Sequence, residues 1–102
     1  MAAVAAAATS ACAADVQPVR THVVEIRQFA FLPETVSVSP GDTIRWVNRD
    51  PVPHTATASN GSWDSGRLEA ESEWVMVVGG AAAGDYVCAY HPNMKATVQA
   101  GR

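Results

Sequence analysis

From Thr21 onward the chain is a series of short runs in which apolar and polar positions alternate, each closed by turn residues. Thr21-His22-Val23-Val24-Glu25-Ile26-Arg27 is rich in β-branched residues and partly alternates. Pro33 breaks the segment that follows. Thr35-Val36-Ser37-Val38 then alternates, and Pro40-Gly41-Asp42 signals a turn. Thr43-Ile44-Arg45-Trp46-Val47-Asn48 alternates again, which puts Ile44 and Trp46 on one face. Short β-prone runs recur at Thr55–Ala58, Trp74–Val78, Asp85–Cys88 and Lys95–Gln99. This pattern predicts about seven strands at intervals of roughly 8–12 residues, an all-β sandwich or barrel. An α/β fold would need helical periodicity over ten or more residues, roughly, and the body offers none. Trp46 and Trp74 are the expected aromatic core. Between the strands, Arg49-Asp50-Pro51-Val52-Pro53 reads as a loop stiffened by its prolines. Residues 63–73 read as irregular, and 79–84 as a flexible Gly/Ala loop.

Length and charge narrow this only a little. The 102 residues carry a formal charge of −3, which suits one small domain and leaves no electrostatic footprint for nucleic acid. The opening MAAVAAAATSACAA is uncharged and mostly alanine, and normal composition begins at Asp15. It resembles the apolar part of a secretory signal with small residues at a cleavage point, although a positive leading segment is missing. It is too short to span a membrane. The expected organisation is a leader over 1–14 and one domain over 15–102, exported from the cytoplasm. With the leader removed, Cys88 has no disulfide partner, and a lone thiol in an exported protein calls for a metal or reactive role. Cys12 offers the alternative of a lipid anchor, although Thr9-Ser10-Ala11 before it is a poor match to that signal.

The chemistry concentrates in Cys88-Ala89-Tyr90-His91-Pro92-Asn93-Met94. A thiol, an imidazole and a thioether recur at three-residue intervals in what reads as one tight loop. Soft sulfur suits Cu(I), and imidazole serves Cu(II) as well. A second imidazole would complete a trigonal plane of two His and one Cys with a weak axial Met, the electron-transfer type of copper site. His54, just after the stiff Pro51-Val52-Pro53 loop, is the natural candidate. His22, with no constraining loop, is expected at the surface or a strand edge. Each of these residues alone is more often structural, but the compact set is not expected by chance. Zinc fits poorly, because its structural sites favour four Cys or His ligands and only one such Cys is at hand.

These residues resemble the cupredoxins, and among them the amicyanin-like and pseudoazurin-like small blue copper proteins. The likeness runs from about Val23 to Gln99 through Phe29-Ala30-Phe31-Leu32-Pro33, Pro40-Gly41-Asp42-Thr43-Ile44-Arg45-Trp46-Val47-Asn48, Pro53-His54-Thr55, Trp63-Asp64-Ser65-Gly66-Arg67-Leu68 and the Cys-x₂-His-x₂-Met segment. The resemblance implies a Greek-key sandwich holding one copper ion, cycling between Cu(I) and Cu(II), at one end. It implies His54, Cys88 and His91 as strong ligands, Met94 as the weak axial one, and the Thr55 N–H as a hydrogen-bond donor to the Cys88 sulfur. It also implies a periplasmic, monomeric, non-enzymatic carrier that docks briefly with dehydrogenase, cytochrome or oxidase-type partners through an edge where His91 is ringed by Pro51, Pro53 and Pro92. A copper carrier or storage protein is the alternative function, since it would use the same ligands. One departure bears on the geometry. Only Gly84-Asp85-Tyr86-Val87-Cys88 survives of the family's Gly-x-Tyr-x-Tyr-x-Cys lead-in, and a slip of one residue would turn Cys88 away from the site.

Overall fold

The computed structural model describes residues 18–102, so the expected leader and Cys12 lie outside the described residues. Eight strands form: β1 (Thr21–Arg27), β2 (Ala30–Leu32), β3 (Thr35–Val38), β4 (Thr43–Asn48), β5 (Thr57–Ala58), β6 (Glu73–Val77), β7 (Gly84–Cys88) and β8 (His91–Ala100). The strand beyond the expected seven is β2, a short antiparallel partner of β1 that ends before Pro33. The strands make two four-stranded sheets, ordered β2-β1-β4-β6 and β3-β8-β7-β5. β1 runs parallel to β4, and β3 parallel to β8, because the chain crosses from one sheet to the other between them. The fold is the expected all-β Greek-key sandwich.

Period-two alternation becomes the core directly. Val24 and Ile26 of β1, Val36 and Val38 of β3, Ile44 and Trp46 of β4, Tyr86 and Cys88 of β7, and Ala96 and Val98 of β8 are all buried. Trp46 is at the centre, with its ring 5.2 Å from Trp63, 5.3 Å from Trp74 and 5.6 Å from Tyr86. Trp74 is only half-buried at the edge of this cluster, and Trp63, from the irregular segment, joins it. The Gly/Ala loop is held more firmly than its composition suggests. Ala82 is buried, and its carbonyl accepts the Trp63 indole N–H at 3.1 Å. Burial pushes the Tyr86 phenol up to about 12.

At one end of the sandwich the buried Asp42 carboxylate accepts the Arg102 Nε at 2.8 Å, the His22 Nε2 at 2.8 Å, and the backbone N–H groups of Arg20 and Ser39 at 3.0 Å each. His22 is therefore half-buried and engaged here. The register pairs it with Ile44, at the opposite end of β4 from Asn48 and the loop that follows. The Arg102 guanidinium, aided by His22 and the two backbone N–H groups and opposed by burial, holds the Asp42 carboxyl far below its ordinary 3.8. A depressed carboxyl contributes stability that is complete above its unfolded value and is lost as pH falls toward its folded one. Thermal unfolding of the metal-free protein should therefore show stability falling below about pH 4, the ordinary carboxylate range. Asp42→Asn should be less stable at neutral pH and should show a shallower acid slope.

Candidate metal centre

Three donors meet at the other end. The Cys88 Sγ lies 3.7 Å from His54 Nδ1 and 3.5 Å from His91 Nδ1, and the three atoms all lie within 4.8 Å of one another. Cys88 and His54 are fully buried, and His91 is half-exposed. N and S ligands hold a first-row ion at roughly 2.0–2.3 Å, so the sulfur–nitrogen separations of 3.7 and 3.5 Å leave room for an ion between the thiol and each imidazole. One thiolate and two imidazoles suit copper in both oxidation states. The donor set therefore fits a single copper ion.

Each donor is placed by identifiable local structure. Cys88 ends β7 and shares the inward face of Tyr86, so the strand did not slip by one residue. The segment from Cys88 to Met94 is tighter than the loop its sequence suggests. Only Ala89 and Tyr90 turn the chain, and His91 already begins β8 as the register partner of Cys88. Val87 pairs with Lys95, so an unbroken ladder would bring Met94 opposite Cys88. A register irregularity between Val87 and Cys88 puts His91 there and leaves Pro92-Asn93-Met94 as extra residues on β8. Such a bulge re-aims side chains beside a site. Met94 is buried and belongs to the core cluster, as do Ala96 and Val98 further along β8.

His54 is held by its backbone and by its ring. Its N–H donates to the Leu68 carbonyl at 3.1 Å, and its carbonyl accepts the Leu68 N–H at 2.8 Å. The loop before it is shaped by Asn48, which is fully buried. The Asn48 Nδ2 donates to the carbonyls of Val52 and Leu68 at 2.9 Å each, and its Oδ1 accepts the Asp50 N–H at 2.9 Å. Thr55 fulfils the expected role and adds another. Its N–H points at the Cys88 Sγ at 3.4 Å, and its hydroxyl accepts the Ala89 N–H at 2.7 Å, tying the β7–β8 turn to His54.

Asp50 and Phe29 are the residues that sequence reasoning missed. The Asp50 carboxylate accepts His54 Nε2 at 2.8 Å, the Gln28 N–H at 2.6 Å and the Phe29 N–H at 3.0 Å. Burial works against its charge, but the N–H groups of Phe29 and Gln28 and the His54 ring outweigh that and keep the carboxyl below its ordinary value. Gln28 and Phe29 sit in the left-handed region, at φ 51° and 59°. That geometry costs a non-glycine residue about 1–2 kcal/mol, and hydrogen bonds to a charged acceptor offset it. The one available signal was position: Asp50 stands four residues before His54 in a loop with no other acid. Hydrogen-bond partners of ligating His residues typically govern metal affinity by roughly 10–100-fold. Asp50→Ala should therefore weaken copper binding by about that factor in chelator competition, and Asp50→Asn, which keeps an acceptor oxygen, by less.

Pro51 and Pro92 are exposed and Pro53 is half-buried. Phe29, half-exposed, lies against the His91 ring at a centroid distance of 4.8 Å.

Comparison with known proteins agrees with this geometry. The family model for copper-binding proteins of the plastocyanin/azurin family matches residues 19–101. The amicyanin of Paracoccus versutus is 29% identical over 91 residues, covering 84% of this chain and 68% of that protein. The solved Cu(I) form of an amicyanin variant superposes with a TM-score of 0.72 at 26% identity, over 87% of this chain and 89% of that one. A copper-containing nitrite reductase from Thermus scotoductus shares the fold alone. It gives a TM-score of 0.70 at 19% identity, and the match takes in 85% of this chain but 23% of the reductase. With its two-sheet sandwich and its buried thiol between two imidazoles, the chain belongs to the plastocyanin/azurin family of copper-binding proteins, the cupredoxins.

Proposed function

We propose that this protein is a type 1 (blue) copper protein that shuttles single electrons between partner proteins outside the cytoplasm. The observation that carries the reading is the buried Cys88 Sγ flanked by His54 Nδ1 and His91 Nδ1 at 3.7 and 3.5 Å, with the Thr55 N–H directed at the sulfur. His54, Cys88 and His91 would hold the ion through two imidazole nitrogens and a thiolate, and Met94 would add a weaker thioether ligand. Copper, when bound, supplies a one-electron couple between Cu(I) and Cu(II). The protein supplies a frame that changes little between the two states. His54 is fixed by Leu68 and Asp50, and the β7–β8 turn by Thr55. The potential is tuned by Met94 and by the Thr55 N–H at the sulfur.

His91 is the least buried of these donors, so it forms the edge through which the electron passes. The mixed apolar surface of Phe29, Pro51 and Pro92 near this end suits brief docking, which buries little area. Partners of dehydrogenase, cytochrome or oxidase type, met by a monomer in the periplasm, fit this reading. Residues 1–14 then act as the export leader and residues 15–102 as the mature domain. The amicyanin relative supports this assignment over an enzymatic one.

Adding Cu(II) to the purified protein should give intense visible absorption from the thiolate–copper bond and a reversible one-electron wave in voltammetry. A colourless complex would overturn the reading. Rapid surrender of the metal to a mild chelator without a reversible wave would replace it with copper carriage.

A further inference from the structure

We propose that Phe29 is a positioning residue of the copper centre, holding the His91 imidazole, and with it the mutual orientation of both imidazoles, across the two oxidation states. The inference rests on the copper reading above. Phe29, His54 and His91 form a closed triangle of rings, with centroid distances of 5.1 Å from Phe29 to His54, 4.8 Å from Phe29 to His91 and 5.0 Å between the imidazoles. The phenyl ring stands at 87° to each imidazole. Perpendicular contact is a favoured aromatic geometry, because the positive edge of one ring meets the negative face of the other. Rotating either imidazole about its Cβ–Cγ bond would break it.

The two imidazoles are braced differently. His54 Nε2 is bonded to Asp50 and its backbone pairs with Leu68. Among the described residues His91 has no such side-chain partner at Nε2. It is the more exposed of the two, and the aromatic contact takes the place of a hydrogen bond in restraining it. The backbone of Phe29 also points to a selected position. Burial does not account for its placement, since the side chain remains 50% exposed. Its residue and the one before it both hold an unfavoured left-handed conformation, and both N–H groups end on the Asp50 carboxylate that also fixes His54. Strained conformations persist where the surroundings over-determine them, and they cluster at functional sites. One carboxylate thus sets the first imidazole and presents the ring that restrains the second.

The test compares wild type with Phe29→Ala, Phe29→Leu and Phe29→Tyr. The unfolding midpoint of each metal-free variant serves as the folding control. In the metal-free protein, the His91 ring signals in NMR should be sharp in wild type and Phe29→Tyr and broadened by exchange in Phe29→Ala and Phe29→Leu. In the copper-loaded protein, Phe29→Ala and Phe29→Leu should broaden the copper hyperfine lines in electron paramagnetic resonance. They should also release copper to a chelator roughly threefold to tenfold faster, the factor a lost perpendicular aromatic contact represents. Phe29→Tyr should restore both properties. Leucine keeps bulk without a ring, so wild-type behaviour in Phe29→Leu would overturn the proposal, as would unchanged His91 signals in Phe29→Ala. Should the wild type itself give no blue complex, the copper reading fails, and the metal-free spectra still decide whether Phe29 holds His91.

Discussion

Cys88→Ser is expected to lose the intense visible band entirely and to bind copper far more weakly than wild type. The colour of such a centre belongs to the bond between a thiolate and Cu(II), and a serine oxygen supplies neither the soft sulfur nor an easily formed anion. Removing a direct ligand should exceed the roughly 10–100-fold cost in affinity of losing an outer partner. The fold should survive. Buried free cysteine behaves as a small apolar residue, and a hydroxyl at this position would face His54 Nδ1 and His91 Nδ1, either of which can partner it. Measuring the visible spectrum and the unfolding midpoint of the metal-free protein separates the two effects. A Cys88→Ser protein as blue as wild type would show that the thiolate is not the ligand. A variant that fails to fold would show that Cys88 matters chiefly as a packing residue.

Trp46→Ala should be the most destabilising single change in the core. Trp46 is fully buried and is in ring contact with Trp63, Trp74 and Tyr86, so its removal opens a cavity that residues from several strands and a loop would have to fill. Truncating a buried Phe or Trp to Ala typically costs about 3–5 kcal/mol. At about 0.05–0.15 kcal/mol per residue, a domain of roughly 85 residues has only some 4–13 kcal/mol in hand. The midpoint of the metal-free protein should fall by roughly 15–35 °C, since each kcal/mol shifts a domain of this size by about 4–8 °C. Trp74→Ala, at a half-buried position, should cost clearly less. Equal losses at the two positions, or a loss at Trp46 below about 1 kcal/mol, would contradict the packing described. Copper should partly rescue Trp46→Ala, because a ligand that binds only the folded state stabilises it by mass action.

Much of this protein is written locally along the chain. The β segments announce themselves because a period of two is a property of consecutive residues: Val36 and Val38, Ile44 and Trp46, and Tyr86 and Cys88 point inward for that reason. The donors Cys88 and His91 were legible for a similar reason. They are three residues apart, so no long-range folding is needed to bring them near one another. His54 was found by chemistry and by the prolines before it, and the structure does bring its Nδ1 to the Cys88 sulfur across 34 positions of sequence. Trp63 and the Gly/Ala loop were read less well. Their composition says irregular, and the tie between the Trp63 indole and the Ala82 carbonyl exists only because the two sheets bring those segments together.

The sequence by itself determined an all-β chain with a copper-type donor set in which a thiol and an imidazole lie close along the chain. Periodicity and ligand spacing act over a few residues and need no tertiary context. The tertiary structure alone decided how those donors are held. Asp50 meets Gln28 and Phe29 across 22 and 21 positions. Asn48 reaches Leu68 across 20, and the Thr55 N–H reaches the Cys88 sulfur across 33. Each of these contacts depends on strand register, on a bulge in β8 or on a left-handed turn at Gln28–Phe29. Such features are fixed by the balance of packing over the whole sandwich, and no residue carries them in its own identity.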